Sequence, residues 1–142
     1  MDPACVLMNM KASKFDECLS AFEAIVRTHR AVSDPSVFLE RVRAREAAVC
    51  TATADHVAFP HARTEAVTEL FLAIGRSEAG IAFRPELPPV HLVFLIGAPP
   101  DAIAEYLGCV AWLARRVRDP EIRTTLMLAG TPEEFLKRIV AT

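Results

Sequence analysis

A chain of 142 residues with 16 Lys and Arg against 18 Asp and Glu, net charge −2, has no basic surplus with which to hold a polyanion, which argues against a nucleic-acid partner. Its composition is 52% hydrophobic, yet no uninterrupted apolar run approaches the roughly 18–20 residues that span a bilayer, so no membrane insertion is expected. At this length a single domain, residues 1–142, buries about two-thirds of the surface its unfolded chain exposes.

The opening "MDPACVLMNMKASK" has an acid at Asp2 and no basic region ahead of an apolar stretch, so it does not read as a secretory signal and a cytoplasmic protein is expected. Within it "CVLMNM" reads as a strand. Residues 13–29, "SKFDECLSAFEAIVRTH", place Phe15, Leu19, Phe22 and Val26 on one helical face, with Ser13 and Asp16 as a capping-box-like start. A second helix covers 33–49, with Asp34 as N-cap, Pro35 at the first position, and Phe38, Val42 and Val49 as its apolar side. A small-residue loop, "TATADHVAFPHART", follows at 51–64. "VTELFLAIG" (67–75) and "PVHLVFLIG" (89–97) read as buried strands closed by Gly75 and Gly97, a possible hairpin. Residues 101–117 carry the clearest helical stripe, with Tyr106 between Ile103 and Leu107. "RTTLMLAG" (123–130) reads as a strand, and 131–140 as a closing helix with Thr131 as N-cap and Glu134 completing a capping box.

Strands and helices that mingle without repeats or linkers predict an α/β fold, a single domain with a mixed β-sheet flanked by helices on both faces. Cys5, Cys18, Cys50 and Cys109 are scattered, with no C-x-x-C pair, and read as small hydrophobes. No nucleophile elbow and no glycine-rich nucleotide loop is present. Asp55, His56 and His61 do not share a helical face, so no metal site and no cofactor is expected.

The loop ends in Pro60-His61-Ala62-Arg63. A neutral imidazole is a good nucleophile near pH 7, and attack on phosphorus gives a phosphohistidine. The ring must be fixed and its tautomer set by a hydrogen bond to the other nitrogen. The incoming charge must be met by guanidinium or amide N–H groups. Pro60 restricts the backbone before His61, and Arg63 supplies a nearby guanidinium.

The ordered segments "RAREAAVCTATADHVAFPHART", "GIAF", "PVHLVFLIGAPPDAIAEYLGCVAWLARRVRDPEI" and "LMLAGTPEEFLKRI" resemble the IIA domain of the fructose and mannitol class of the phosphoenolpyruvate-dependent phosphotransferase system, including its nitrogen-regulatory relatives. The resemblance implies a carrier that takes a phosphoryl group on His61 from the histidine-phosphocarrier protein. It then passes the group to a IIB domain or uses it as a signal to a regulatory target. It also implies phosphate-facing roles for Arg45 and Thr51, beside the nearby Arg63. The sequence departs from the family in two places. Ala52, Ala54 and His56 stand where the loop's glycines are expected, and Tyr106 replaces a second active-site histidine. Tyr106 is then either a phenolic donor to phosphate or a core residue, and His56 is a candidate for the second-histidine role. His91 is expected to be a structural histidine, His29 to sit on a helix dipole, and Phe59 to lie in an apolar docking surface around His61. These departures leave an alternative, a degenerate IIA-like interaction module that no longer carries phosphate.

Overall fold

Alternation along two long strands divides the core in two. In the computed structural model, which describes residues 1–141, β4 (Phe71–Ile81) and β5 (Val90–Ala98) run antiparallel, as the hairpin reading expects. Phe71, Ala73, Val93 and Leu95 point to one face; Ile74, Leu92, Phe94 and Ile96 point to the other. Helices α1 (Phe15–Ala21), α2 (Glu23–Thr28) and α3 (Pro35–Ala48) cover the first face. Helices α4 (Ile103–Arg118), α5 (Pro120–Leu128) and α6 (Pro132–Val140) cover the second. Both faces of the sheet are therefore apolar, and Phe22, Phe38, Phe94 and Phe135 are fully buried in them, each worth about 1.5–3 kcal/mol of transfer free energy.

Three short strands complete the sheet: β1 (Val6–Leu7), β2 (Val57–Ala58) and β3 (His61–Arg63). β1 is parallel to β4, while β2 and β3 are both parallel to β5 along one edge. The sheet is mixed and lies between two helical layers, as the sequence predicts.

Several boundaries differ from the sequence reading. The strand expected over 123–130 is the helix α5. Asp119 caps it by accepting from Glu121 N–H and Pro120 takes its first turn, so the Asp-Pro signature outweighs the β-branched Thr124 and Thr125. The first helix breaks at Phe22, whose N–H bonds back to Leu19 and whose ring is drawn into the core above Gly75. Its start is Lys14, not Ser13; Glu17 reaches back and accepts from both the Ser13 amide and its hydroxyl. Gly75 does not end its strand, since β4 continues to Ile81 through a bulge between Arg76 and Ile81. Asp34 and Thr131 cap as expected, from Val37 and Glu134 N–H respectively. No described helix is long and apolar enough to cross a membrane.

Candidate functional site

The loop read at 51–64 folds into an interrupted edge strand. Val57 and Ala58 pair with Leu92 and Val93, then His61, Ala62 and Arg63 pair with Ile96, Gly97 and Ala98, at the same offset. Phe59 and Pro60 therefore break the ladder without shifting its register. Pro60 has no N–H to give, which a sheet edge tolerates, and its carbonyl still accepts from Ile96 N–H at 3.0 Å. Alternation puts Val57, Phe59 and His61 on the α4 side. There the His61 ring lies 5.2 Å, centre to centre, from the Tyr106 ring.

His61 Nδ1 lies 2.9 Å from the Phe59 carbonyl oxygen. A carbonyl only accepts, so Nδ1 carries the proton and Nε2 keeps its lone pair. Phe59 is itself held. Its N–H donates to the Thr51 hydroxyl at 3.2 Å, and its ring stacks on Phe94 at 5.5 Å. The Thr51 hydroxyl donates to Glu46 at 2.7 Å, and the Thr51 amide donates to the other carboxylate oxygen at 2.6 Å. Glu46, only 6% exposed, sits on α3 in line with Phe38 and Val42. An unbroken chain thus runs from Glu46 through Thr51 and Phe59 to the His61 ring. Sequence reasoning gave Glu46 no role of its own beside Arg45. The available signal is a carboxylate at the next i+4 step of the Phe38–Val42 stripe, where Val49, named as an apolar-face residue, proves to be exposed.

Arg45, half-buried at the last turn of α3, donates to the Val49 carbonyl at 2.9 Å. Burial lowers the pKa of His61, and the positive charges of Arg45 and Arg63 add to this, while the bond to Phe59 and the Glu46 carboxylate pull the other way. Burial raises the Tyr106 phenol above its ordinary value, so it remains an O–H donor near neutral pH. Tyr106, on α4, is at once a half-buried residue packed against the second core cluster and a neighbour of His61. Thr51 has its hydroxyl hydrogen committed to Glu46, so it supports the loop rather than facing an anion. The amides of Thr51, Thr53, Asp55 and Phe59 all have internal partners.

The structure does not bring His56 to His61. Four residues lie between them, five extended steps or roughly 16 Å of chain, and the His56 ring instead faces His91 at 5.6 Å. His56 has φ 66°, and among the described residues it is the one non-glycine with positive φ. Of the three positions where glycine is expected, this alone requires it, and Ala52 and Ala54 carry no such strain. Phe59, expected on a docking surface, is half-buried with its ring stacked on Phe94. The exposed apolar side chains beside Tyr106 are Ile103 and Leu107, 46% and 58% exposed. Cys5 and Cys18 are buried as expected, and burial with help from Glu46 pushes the Cys18 thiol up to about 12.

A parallel edge strand carrying a histidine whose Nδ1 is held by a carbonyl, within the field of Arg45 and Arg63, is an arrangement chemically suited to a nucleophilic imidazole and an anionic group. Residues 1–141 match the family described as phosphoenolpyruvate-dependent sugar phosphotransferase system, EIIA 2, and the chain belongs to that family. It is 30% identical over 125 residues to a nitrogen regulatory protein of Bradyrhizobium diazoefficiens, covering 87% of this chain and 81% of that one. It is 24% identical over 132 residues to the PTS system fructose-specific EIIABC component of Bacillus subtilis. That match covers 92% of this chain but 21% of the relative, so the chain spans about a fifth of its length. The fold is similar to that of nitrogen regulatory protein IIA-Ntr from Neisseria meningitidis, with TM-score 0.87, 23% identity, and 98% and 95% of the two chains covered. It is also similar to enzyme IIAMtl of Escherichia coli, solved in complex with phosphorylated enzyme IIBMtl, with TM-score 0.83, 18% identity, and 98% and 96% covered.

Proposed function

We propose that the protein is a phosphoryl carrier in which His61 Nε2 is the acceptor. The observation that carries this reading is the Nδ1–Phe59 hydrogen bond, which leaves the Nε2 lone pair free on the side where Tyr106 stands and where the charges of Arg45 and Arg63 act. The Nε2 lone pair attacks the phosphorus of a phosphohistidine on the donor. The donor's P–N bond breaks, and its electron pair returns to the donor imidazole. Nδ1–H stays on the Phe59 carbonyl throughout, so the step needs no proton to leave His61. Arg45 and Arg63 offset the charge of the transferring group and the Tyr106 phenol donates to one of its oxygens. Positioning and electrostatics supply most of the catalysis in phosphoryl transfer, so the residues present suffice without a cofactor.

The donor is the histidine-phosphocarrier protein. The phosphoryl group then goes to a IIB domain or serves as a signal read by a regulatory target, all in the cytoplasm. Exposed Ile103 and Leu107 beside Tyr106 form the centre of the transient docking surface. Incubation with phosphoenolpyruvate, enzyme I and the phosphocarrier, followed by intact mass measurement, should give one acid-labile phosphoryl adduct that His61→Ala loses. No adduct, with the donor active on a control, overturns the carrier reading in favour of an interaction module that does not carry phosphate.

A further inference from the structure

At the far end of the interrupted strand, His56 and His91 face each other across a cavity of about 310 Å³ walled by Leu92, Met127 and Leu128. His56 Nδ1 is 2.9 Å from the Pro89 carbonyl, and His91 Nδ1 is 2.8 Å from the Ser77 carbonyl. A carbonyl only accepts, so both rings donate from Nδ1, and in the neutral tautomer this fixes, Nε2 is the nitrogen with the lone pair. Histidines that ligate metals are oriented in this way, with the non-ligating N–H on a carbonyl or carboxylate. Two imidazoles sharing one tetrahedral ion, with each metal–nitrogen bond about 2.0–2.1 Å, set their ring centres about 5 to 6 Å apart. The observed separation is 5.6 Å, with the ring planes tilted by 45°.

Two irregular backbone features build this arrangement. The β4 bulge turns the Ser77 carbonyl out of the ladder toward His91, and Gly80 within it has φ 91° and lies so close that an added Cβ would come within 3.2 Å of His91 Cε1. His56 is held at its positive φ, a conformation costing about 1 kcal/mol or more that usually falls to glycine. Arg123 also lines the cavity, but its guanidinium donates to the carbonyls of Val117 and Arg118 and stands 3.9 Å from Asp55.

We propose that His56 and His91 form a seat for a divalent first-row transition ion of the zinc, copper or nickel type, with water completing its shell. Occupied, it ties the start of β2 to β5 and the β4 bulge. Another group of ligand-type side chains, Asp2, Cys5 and His29, is less suited. There the Ala31 N–H donates to His29 Nδ1 at 3.1 Å, which places the ring proton on Nε2 and leaves neither nitrogen free.

Calorimetric titration of the full chain with zinc chloride at pH 7.5 tests the seat, alongside His56→Asn and His91→Asn. Asparagine keeps a donor where Nδ1–H was and tolerates positive φ, but has no Nε2 lone pair. The expected result is 1:1 binding that each substitution weakens at least tenfold, that His29→Asn leaves within twofold, and that raises the thermal midpoint of the wild type until chelator is added. If His56→Asn fails to fold, His91→Asn alone carries the comparison. No saturable binding, binding that survives the folded Asn variants, or equal loss with His29→Asn overturns the proposal. None of these readouts depends on phosphoryl transfer.

Discussion

The His61 ring is aimed by a chain of groups, Glu46, Thr51 and Phe59, that acts through its Nδ1 and leaves Nε2 clear. Replacing Thr51 with Val deletes the hydroxyl that accepts from Phe59 N–H and donates to Glu46, leaving a buried carboxylate with one donor fewer. A loss of about 1–3 kcal/mol in urea unfolding is expected, since an unmet buried polar group costs roughly that much. Phosphoryl acceptance should slow as the Phe59 carbonyl loses its fixed place. Thr51→Ser should restore both. The lowered pKa of His61 has a sign that can be checked twice. The ring stays neutral to lower pH than a free histidine, so the acceptance rate should hold its plateau through pH 6.5 and fall only below it. Because the unfolded chain binds this proton more readily, His61 contributes a loss of stability as pH drops below about 6.5, ending at its folded pKa. Tyr106, with its pKa raised, adds no second inflection in that range. At this scale His61 and Arg63 could be singled out because Pro-His-x-Arg is contiguous in sequence, whereas Arg45, sixteen residues earlier, came only from the family resemblance. Glu46 could not be, because a buried carboxylate on a helix reads as one more charge in "ERVRARE" until the chain closes over it.

Among the elements, the interrupted edge strand sets the geometry of both sites. The residue just before it, His56, is held at φ 66°, so the backbone there asks for glycine. His56→Gly should be more stable than His56→Ala by about 1 kcal/mol in denaturant melts, although alanine is elsewhere the more stabilising residue. The opposite order would mean that the left-handed turn is not formed. Helix starts were legible at 34–35 and 131–132, where Asp-Pro or Thr-Pro precedes an apolar stripe. The same Asp119-Pro120 signal heads α5, although residues 123–130 read as a strand in sequence. Local pattern gave way to packing there, since Leu126 of α5 is fully buried against the sheet. The loop strands β2 and β3 were hidden for a related reason, because two- and three-residue strands carry too little alternation to detect.

For the molecule as a whole, two helical layers leave the His61 edge of the sheet open, with apolar side chains of α4 exposed beside it. Leu107→Lys should leave the thermal midpoint nearly unchanged, because the side chain is 58% exposed. It should raise the concentration of phosphorylated donor needed for half-maximal transfer severalfold. A fall in maximal rate alone would instead place Leu107 outside the docking surface. The central claim is that His61 accepts through Nε2 because Phe59 holds Nδ1–H. It is tested most directly by ¹⁵N–¹H correlation of the imidazoles before and after phosphorylation. The account requires a protonated Nδ1 on His61 in the free protein and phosphorus coupled to its Nε2 afterwards. Phosphorus on Nδ1, on another residue, or on none would contradict it.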